Sequence, residues 1–477
     1  MSRFFKYKSP DELLAAASEL GVDLDIADSV EPLFQPLIIG SRTVGNRLVI
    51  HPMEGCDGTL DGLPGELTYR RYERFGAGGA KLIWGEATAI VDEGRANSRQ
   101  LLLADHTRSA LETMLADCRR AHRAAGGDDR DLLVGLQLTH SGRYAFRRPI
   151  IATHDPLLDP LTLDKSTGRL LDDSYPLISD SDLERLIDRF VEAARQVYDL
   201  GFDFVDIKQC HRYLLSELLA ARNRPGPFGG DYENRTRFVR TVIERIRAEF
   251  PDKLIATRMN AYDGIPHRPA LDTRVGTPVP WSPPVLCAWG TDPNDPARDD
   301  LTEPIRFVRD LAAWGVGLIN ITLGNPYSNP HIGRPADYPP VDGYLPPEHP
   351  LIGVGRHFRI AHALQAAVPD VALVGTGYSW LQEFAGHVAA ANVGSGRIAL
   401  AGFGRATLSH PDFAQALRDE GRFHRKKVCR TFSYCTGLMR AKDHPLGQYE
   451  TGCPPFDKEV YGPLWKDVEA KRDGTTS

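Results

Sequence analysis

The sequence lacks any apolar run that approaches the length of a membrane-spanning helix. Its opening residues, MSRFFKYKSPDELL, also lack the continuous apolar stretch of a secretory signal peptide. Positive charge is not in excess, because 63 Asp and Glu residues outnumber 57 Lys and Arg residues and the net charge is −6. This balance gives no electrostatic reason to bind nucleic acid or an anionic membrane. We therefore predict a cytoplasmic protein that acts on a small-molecule substrate, with neither nucleic acid nor membrane as a partner.

Cysteine is sparse, with seven residues scattered over a chain of 477. An odd number spread over a long chain argues for reduced thiols rather than a disulfide framework. Three of the cysteines, Cys429, Cys435 and Cys453, lie near the C-terminus. A zinc site there would need a fourth ligand such as His424 or His444, and isolated intracellular cysteines are mostly inert. We predict no metal site.

What the chain does contain is a regular alternation of strand-like apolar runs and helical patterns. Eight strands with intervening helices predict an α/β fold, either a closed parallel (β/α)8 barrel or a doubly wound sheet. We expect a helical arm over residues 1–32, the barrel over residues 33–422, and a C-terminal extension over residues 423–477 that packs on the barrel. The eight strands are centred on Leu48, Ile83, Val134, Val205, Ile255, Ile319, Leu373 and Ile398.

Two strand-to-helix connections are unusually long, over residues 144–176 and residues 261–300. Long connections in a compact domain are usually lids, binding loops or disordered segments. Both would rise from the carboxyl ends of strands, where a barrel places its catalytic site. We expect at least one of them to cover the site, and the alternative is two surface insertions without a role.

The segment after the fourth strand carries the strongest chemical signal. A buried run that ends at Ile207 is followed at once by Lys208, Cys210, His211 and Tyr213. The carboxyl end of a parallel strand is where a catalytic site is built. A Lys, a His and a Tyr within six residues can place several hydrogen-bond donors around one ligand.

Two glycine turns follow the last two strands, Val374-Gly375-Thr376-Gly377 and Gly402-Phe403-Gly404-Arg405. Their backbone amides can bind a phosphate dianion, and Arg405 can add a charged hydrogen bond. Neither turn is a dinucleotide-binding fingerprint, because Trp380 and Thr407 stand where Gly or Ala is expected. The alternative is that both are ordinary tight turns.

A charged residue also interrupts an apolar strand, at Arg258 in Ala256-Thr257-Arg258-Met259. An unpaired buried charge is expensive. Arg258 therefore needs either an anionic ligand or a structural ion pair with a carboxylate of the barrel.

These features, in this order, resemble the old yellow enzyme family of FMN-dependent ene-reductases. Two further motifs of that family are present. The first begins at Leu33-Phe34-Gln35-Pro36 and continues through Asn46-Arg47 to Pro52-Met53, and the second is Gln137-Leu138-Thr139-His140-Ser141-Gly142-Arg143. Five motifs in the family's order make a specific signal, although each alone would be weak.

The resemblance implies a (β/α)8 TIM barrel that binds FMN at the carboxyl ends of its strands and takes electrons from NADH or NADPH. It also implies a homo-oligomer. Tyr213 would donate a proton to the substrate, and His211 and Lys208 would bind the substrate's carbonyl oxygen. The implied cofactor-binding residues are Pro52, Met53, Glu54, Ala87, Gln137, Arg258, Gly375, Gly377, Gly404 and Arg405.

The chain departs from the family pattern at Lys208, where the family has His, at Glu54, where it has Thr or Cys, and at Arg212, where it has Gly. Lys208 could hold a substrate oxyanion, form a Schiff base with a ketone, or pair with Glu54 or Glu86. Glu54 could act as a general base if its pKa is raised, or simply neutralise Lys208.

The C-terminal cysteines also differ from a family pattern. Some larger relatives hold a four-iron cluster on a Cys-x2-Cys-x3-Cys-x11-Cys sequence. Here Phe432 stands where the second ligand should be, so the three remaining thiols do not match that site.

The predicted function is the NAD(P)H-driven, FMN-dependent reduction of an activated C=C bond in an α,β-unsaturated carbonyl compound. One alternative is a flavin-dependent dehydrogenase that oxidises an alcohol, an amine or a cyclic ketone, with Glu54 or His211 as the base. An alternative of another class is a Schiff-base aldolase that uses Lys208. The sequence does not name the substrate or choose between NADH and NADPH.

Overall fold

Eight parallel strands close into a barrel in the computed structural model, which describes residues 4–340 and 343–474. Each strand pairs with the next one along the chain, and the eighth pairs with the first. The predicted closed (β/α)8 barrel is therefore confirmed over the doubly wound sheet. The strands are β1 Leu48–Ile50, β2 Leu82–Ala89, β3 Leu133–Thr139, β4 Phe204–Ile207, β5 Leu254–Asn260, β6 Leu318–Thr322, β7 Ala372–Gly375 and β8 Leu400–Phe403.

Helices connect the strands and surround the barrel. The helix bounds are α1 Pro10–Glu19, α2 Glu66–Ala77, α3 Arg108–Ala124, α4 Asp180–Asp199, α5 Leu214–Leu219, α6 Tyr232–Glu249, α7 Thr302–Ala313, α8 Pro330–Gly333, α9 Pro350–Ala367, α10 Ala385–Gly394, α11 Arg405–Ser409, α12 Phe413–Glu420, α13 Tyr434–Arg440 and α14 Lys458–Gly474. No helix in the described ranges is long and apolar enough to cross a membrane.

The two faces of each strand bury two different cores, because side chains alternate along a strand. In β2, Ile83 packs in the layer between the strands and the helices, while Leu82 and Trp84 pack inside the barrel. Trp84 meets Phe204 of β4 edge to face there, at a ring distance of 5.1 Å. These large side chains fill the amino-terminal half of the barrel and leave its carboxyl end for the site.

The same alternation decides which residues reach the site. Along β3 the inward positions run from Leu133 to Gln137, and along β5 they run from Leu254 to Arg258. Along each of these strands, the inward side chains therefore change from apolar to polar within four residues. Both strands thus place their polar side chains at the same end of the barrel.

The eighth strand begins at Leu400, so the predicted centre at Ile398 is wrong and lies two residues before the strand. The Ile398 amide donates to the Asn392 carbonyl oxygen instead of a neighbouring strand. Its buried side chain packs in the layer between strands and helices. An apolar residue in that layer gives the same sequence signal as a strand residue.

Three long connections rise from the carboxyl ends of the strands, one more than we predicted. The two predicted ones carry small hairpins, Leu163–Asp164 with Arg169–Leu170 and His267–Pro269 with Gly276–Pro278. The third runs from β6 to α9, and its described residues contain only one helix, the four-residue α8. Beyond the barrel, α13 and α14 share a small apolar cluster that includes Leu438 and Tyr461.

Candidate active site

A cavity of about 1020 Å³ opens at the carboxyl ends of the strands. This volume lies at the upper end of the range for ligand pockets and leaves room for a cofactor together with a substrate. Gly375 is the one predicted site residue that does not line the cavity, because as the last residue of β7 it faces Ile398. The structure brings the other predicted residues together there: Pro52, Met53, Glu54, Ala87, Gln137, Lys208, His211, Tyr213, Arg258, Gly377, Gly404 and Arg405.

At the floor of the cavity, Asp206 organises its neighbours. Its Oδ2 accepts hydrogen bonds from Gln137 Nε2 and from Trp84 Nε1, the latter at 2.6 Å. Its Oδ1 accepts from the Arg258 backbone amide at 2.7 Å. The carboxylate is thus satisfied by these groups and holds the backbone of Arg258 rather than its guanidinium.

The Arg258 guanidinium is buried and has no carboxylate within ion-pair distance in the described part of the chain. Its Nε has no hydrogen-bond partner. Burial lowers the pKa of Arg258. The expected alternative, a structural ion pair inside the barrel, is therefore wrong, and a donor group remains available to an electron-rich ligand.

His51 lies beside Arg258 and was not predicted as a site residue. It directly follows β1 at the inward position after Val49, which is the signal that could have found it. Asn320 Nδ2 lies 3.0 Å from its Nδ1. Burial and the Arg258 charge hold the pKa of His51 well below its usual value, so the ring is neutral at physiological pH.

The glycine turns also line the cavity, through Gly377 and Gly404. Gly377 has a φ of 105°, a left-handed conformation that favours glycine. Gly404 caps α11, and the Ala406 amide in its first turn bonds the Ser379 hydroxyl at 3.3 Å. Arg405 donates through Nη2 to the Pro335 carbonyl oxygen at 2.7 Å, while its buried Nη1 has no hydrogen-bond partner in the described ranges. An unpaired guanidinium nitrogen beside glycine turns suits a phosphate group.

Lys208 lies above the floor with its Nζ 3.9 Å from the centre of the Tyr213 ring. Burial lowers the pKa of Lys208, and the Glu54 carboxylate raises it in part. No carboxylate in the described ranges lies within 4.0 Å of its Nζ. The alternative in which Lys208 pairs with Glu86 is wrong, since Glu86 instead pairs with Arg71 at 2.5 Å.

Glu54 faces the same space and accepts a hydrogen bond from Asn97 Nδ2. Burial raises the pKa of this carboxyl, although Lys208 and Asn97 oppose the shift. Asn97 was not predicted, because it lies in the connection after β2 without any sequence pattern. Glu54 is therefore held in place by an amide and acts on Lys208 only through space.

Tyr213 is one of three tyrosines that meet at the cavity. Its hydroxyl lies 2.9 Å from the Tyr327 hydroxyl, and the Tyr327 ring stacks on Tyr144 at 4.3 Å. Asn325 Nδ2 donates to the Tyr144 hydroxyl at 2.5 Å. Burial raises the pKa of Tyr213 well above its usual value, so the phenol keeps its proton at neutral pH.

His211 and Arg212 share a strained backbone, with φ values of 66° and 59°. A left-handed residue other than glycine costs about 1–2 kcal/mol. The buried Arg212 side chain pairs with Asp155 at 2.5 Å and with Asp263 at 3.0 Å. This chain thus keeps the conformation expected of the family's glycine and fixes it with two ion pairs, which leaves His211 turned to the cavity.

Comparison with known proteins identifies the family of the chain. The model of the NADH:flavin oxidoreductase / NADH oxidase family matches residues 32–271, half of the chain. The chain belongs to this family. The resemblance to old yellow enzymes and the predictions of FMN as cofactor and of an oxidoreductase are confirmed at the level of the family.

Three known proteins show how far the similarity reaches. An NADPH dehydrogenase from Geobacillus sp. (strain WCH70) is 32% identical over 237 residues, which cover 48% of this chain and 64% of that protein. The chain thus spans somewhat less than two thirds of that relative. The structure of a 2-naphthoyl-CoA reductase in complex with 2-naphthoyl-CoA has 17% identity and a TM-score of 0.64, covering 91% of this chain and 58% of that one. The old yellow enzyme homologue from Zymomonas mobilis has 21% identity and a TM-score of 0.56, covering 84% of this chain and 96% of that one. At these identities the two structures show the fold alone.

The residues present fit FMN. Arg258 Nε and Arg405 Nη1, both without a partner in the described part of the chain, belong to residues that line the cavity, and as donors they suit the flavin ring and the phosphate. Gln137 adds an amide beside Arg258. Gly377 and Gly404 line the cavity without side chains of their own, which lets a phosphate approach their backbone.

Proposed function

We propose that the protein uses NADH or NADPH and bound FMN to reduce the polarised C=C bond of an α,β-unsaturated carbonyl compound. The observation that carries this proposal is the placement of Lys208 and Tyr213 together over a cavity that fits FMN. The family and the NADPH dehydrogenase relative support the electron donor. A homo-oligomer and the division at residues 32 and 422 stay predictions.

Reduction of such a bond needs a hydride, which FMN supplies when bound, and a proton, which the chain must supply. Tyr213 carries a proton at neutral pH and lies in the cavity, so its hydroxyl can give that proton to the substrate α-carbon. A phenol with a raised pKa does not lose this proton to water between turnovers.

Negative charge develops on the carbonyl oxygen of the substrate during the reaction. The Lys208 ammonium is buried and has no carboxylate partner among the residues that the structure describes, so its charge is available to that oxygen. His211 lines the same space and is neutral, because burial, Arg258 and Lys208 hold its pKa well below the usual value. A neutral imidazole donates a hydrogen bond without adding to the positive charge.

One observation favours the reverse chemistry as a second candidate. The raised pKa of Glu54 would suit a general base, which an alcohol or amine dehydrogenase requires. Membership of a flavin oxidoreductase family argues against the Schiff-base aldolase.

The direct test is an anaerobic titration of the purified holoenzyme. We expect NADPH or NADH to bleach the yellow flavin absorbance, and 2-cyclohexenone to restore it with formation of cyclohexanone. Bleaching without any recovery by enones, combined with bleaching by an alcohol or amine substrate alone, would replace reduction by the dehydrogenase function.

A further inference from the structure

The charge of the cavity differs sharply from the charge of the chain. Acidic residues outnumber basic ones overall, by 63 to 57. Of the described residues that line the cavity, eleven are Arg or Lys and Glu54 is the only Asp or Glu. A cleft lined by one sign of charge concentrates ligands of the opposite sign.

The deeper cations have roles in the proposed function or are paired. Arg258 and Arg405 face the places proposed for the flavin ring and its phosphate, and Lys208 faces the substrate carbonyl. Arg143 is neutralised by Asp159 and Glu217. These residues leave the cations at the mouth of the cavity unexplained.

Four cations at the mouth are exposed or nearly so and have no ion pair within the described ranges: Arg148, Lys165, Arg268 and Lys442. They come from three separate parts of the chain. Arg148 and Lys165 belong to the connection between β3 and α4, Arg268 belongs to the hairpin after β5, and Lys442 follows α13. Three independent segments thus bring unpaired positive charge to one opening.

Two of these cations also oppose each other. Partial burial and the charge of Lys442 lower the pKa of Lys165. Like charges held together disfavour each other's charged form, and a nearby anion removes that penalty. An anion bound at this opening would relieve that repulsion.

We infer that the mouth of the cavity is a subsite for a phosphate-bearing tail of the ligand, held by Arg148, Lys165 and Lys442. This inference rests on the proposed function, since the tail belongs either to the α,β-unsaturated substrate or to the nicotinamide donor. The recognition is the same in both cases, because two lysines and an arginine bind the negative charge of a phosphate group. A small neutral enone would leave this subsite unused.

The test compares two triple variants of the holoenzyme. The rim variant is Arg148→Gln, Lys165→Gln and Lys442→Gln. The control variant is Lys6→Gln, Arg309→Gln and Lys426→Gln, which removes the same charge from exposed positions that do not line the cavity. Both variants change exposed side chains, so both should fold.

Binding is measured first, by calorimetry with adenosine 3′,5′-bisphosphate, a phosphate-bearing probe without a reducible group. We expect the wild type and the control to bind it, and the rim variant to bind it at least about tenfold more weakly. The rate of flavin reduction is then measured with NADPH and with NADH. If flavin reduction in the rim variant is slower with NADPH but not with NADH, the tail is the 2′-phosphate of the donor. If the rim variant binds the probe more weakly but its flavin is reduced by NADPH and by NADH at the wild-type rates, the tail is assigned to the substrate.

The inference is overturned if the three proteins bind the probe equally or not at all and also show the same NADPH-to-NADH rate ratio. The proposed function is tested separately, and it is wrong if the wild type does not reduce 2-cyclohexenone. The phosphate probe binds without any reaction, so that result would not affect the test of the subsite.

Discussion

The Tyr213 hydroxyl lies 2.9 Å from the Tyr327 hydroxyl, although the two residues are 114 positions apart in the chain. Tyr327 belongs to the connection after β6 and lines the cavity. Burial raises the pKa of Tyr327, and it raises the pKa of Tyr144, on which Tyr327 stacks, to about 12. Both phenols are therefore protonated at neutral pH, and Tyr327 can orient the Tyr213 proton and replace it after turnover.

Tyr327→Phe should slow reoxidation of the reduced enzyme by an enone by roughly fivefold to tenfold, the cost of about one net hydrogen bond. Reduction by NADPH should not change, because no proton from Tyr213 is needed there. Stopped-flow measurement of both half-reactions tests this. Tyr69→Phe is the matched control, since it also loses one hydrogen bond, to the Ala110 carbonyl oxygen, away from the cavity. Equal slowing in both variants would contradict the role of Tyr327.

Arg258→Ala should weaken FMN binding, because one charged hydrogen bond contributes about 1.5–3 kcal/mol. Arg258→Lys keeps the charge but loses the fork of donors, and it should retain part of that affinity. The measurement is the dissociation constant of FMN from the apoprotein by fluorescence. Normal flavin affinity in the alanine variant would place the guanidinium away from the flavin.

The activity should fall at alkaline pH as Lys208 loses its proton. Burial lowers the pKa of Lys208. The ammonium that holds the substrate oxyanion therefore loses its proton at a lower pH than a free lysine does. The kcat/KM for 2-cyclohexenone should therefore decrease as the pH rises through the pKa of Lys208. In Lys208→Arg the decrease should disappear, because an arginine stays charged. A decrease of the same size in that variant would assign the pKa to another group.

Substitutions at Lys208 separate its possible roles. Lys208→His restores the donor expected of the family and should preserve measurable enone reduction, while Lys208→Met should cost about 2.7–4 kcal/mol of transition-state stabilisation. The measurement is kcat/KM at normal flavin content. Borohydride treatment with the substrate should add no mass at Lys208. Covalent trapping would show a Schiff base instead, and an inactive His variant with normal flavin content would contradict the role of Lys208 at the oxyanion.

The sequence was sufficient for the barrel and for the residues of its strands. The resemblance predicted Gln137 and Arg258 as site residues, and both line the cavity, where the alternation of side chains along their strands places them. The same rule could have found His51. It failed for Ile398, whose apolar side chain packs outside the barrel rather than in a strand.

The upper part of the site could not be predicted, because its residues meet only through the folding of long connections. Tyr327 and Asn97 lie in segments without periodicity, and nothing in their neighbours marks them as lining a cavity. Lys165 and Lys442 are ordinary surface residues in sequence. Their proximity depends on how the connection after β3 packs against the C-terminal part of the chain.

The central claim is that Tyr213 supplies the proton in the reduction of a C=C bond. Anaerobic stopped-flow measurement of the two half-reactions of Tyr213→Phe tests it most directly. We predict that NADPH reduces the flavin at the wild-type rate, and that reoxidation by 2-cyclohexenone is slower by about 10²–10⁴-fold. Unchanged reoxidation, or equal slowing of both half-reactions, would contradict the account.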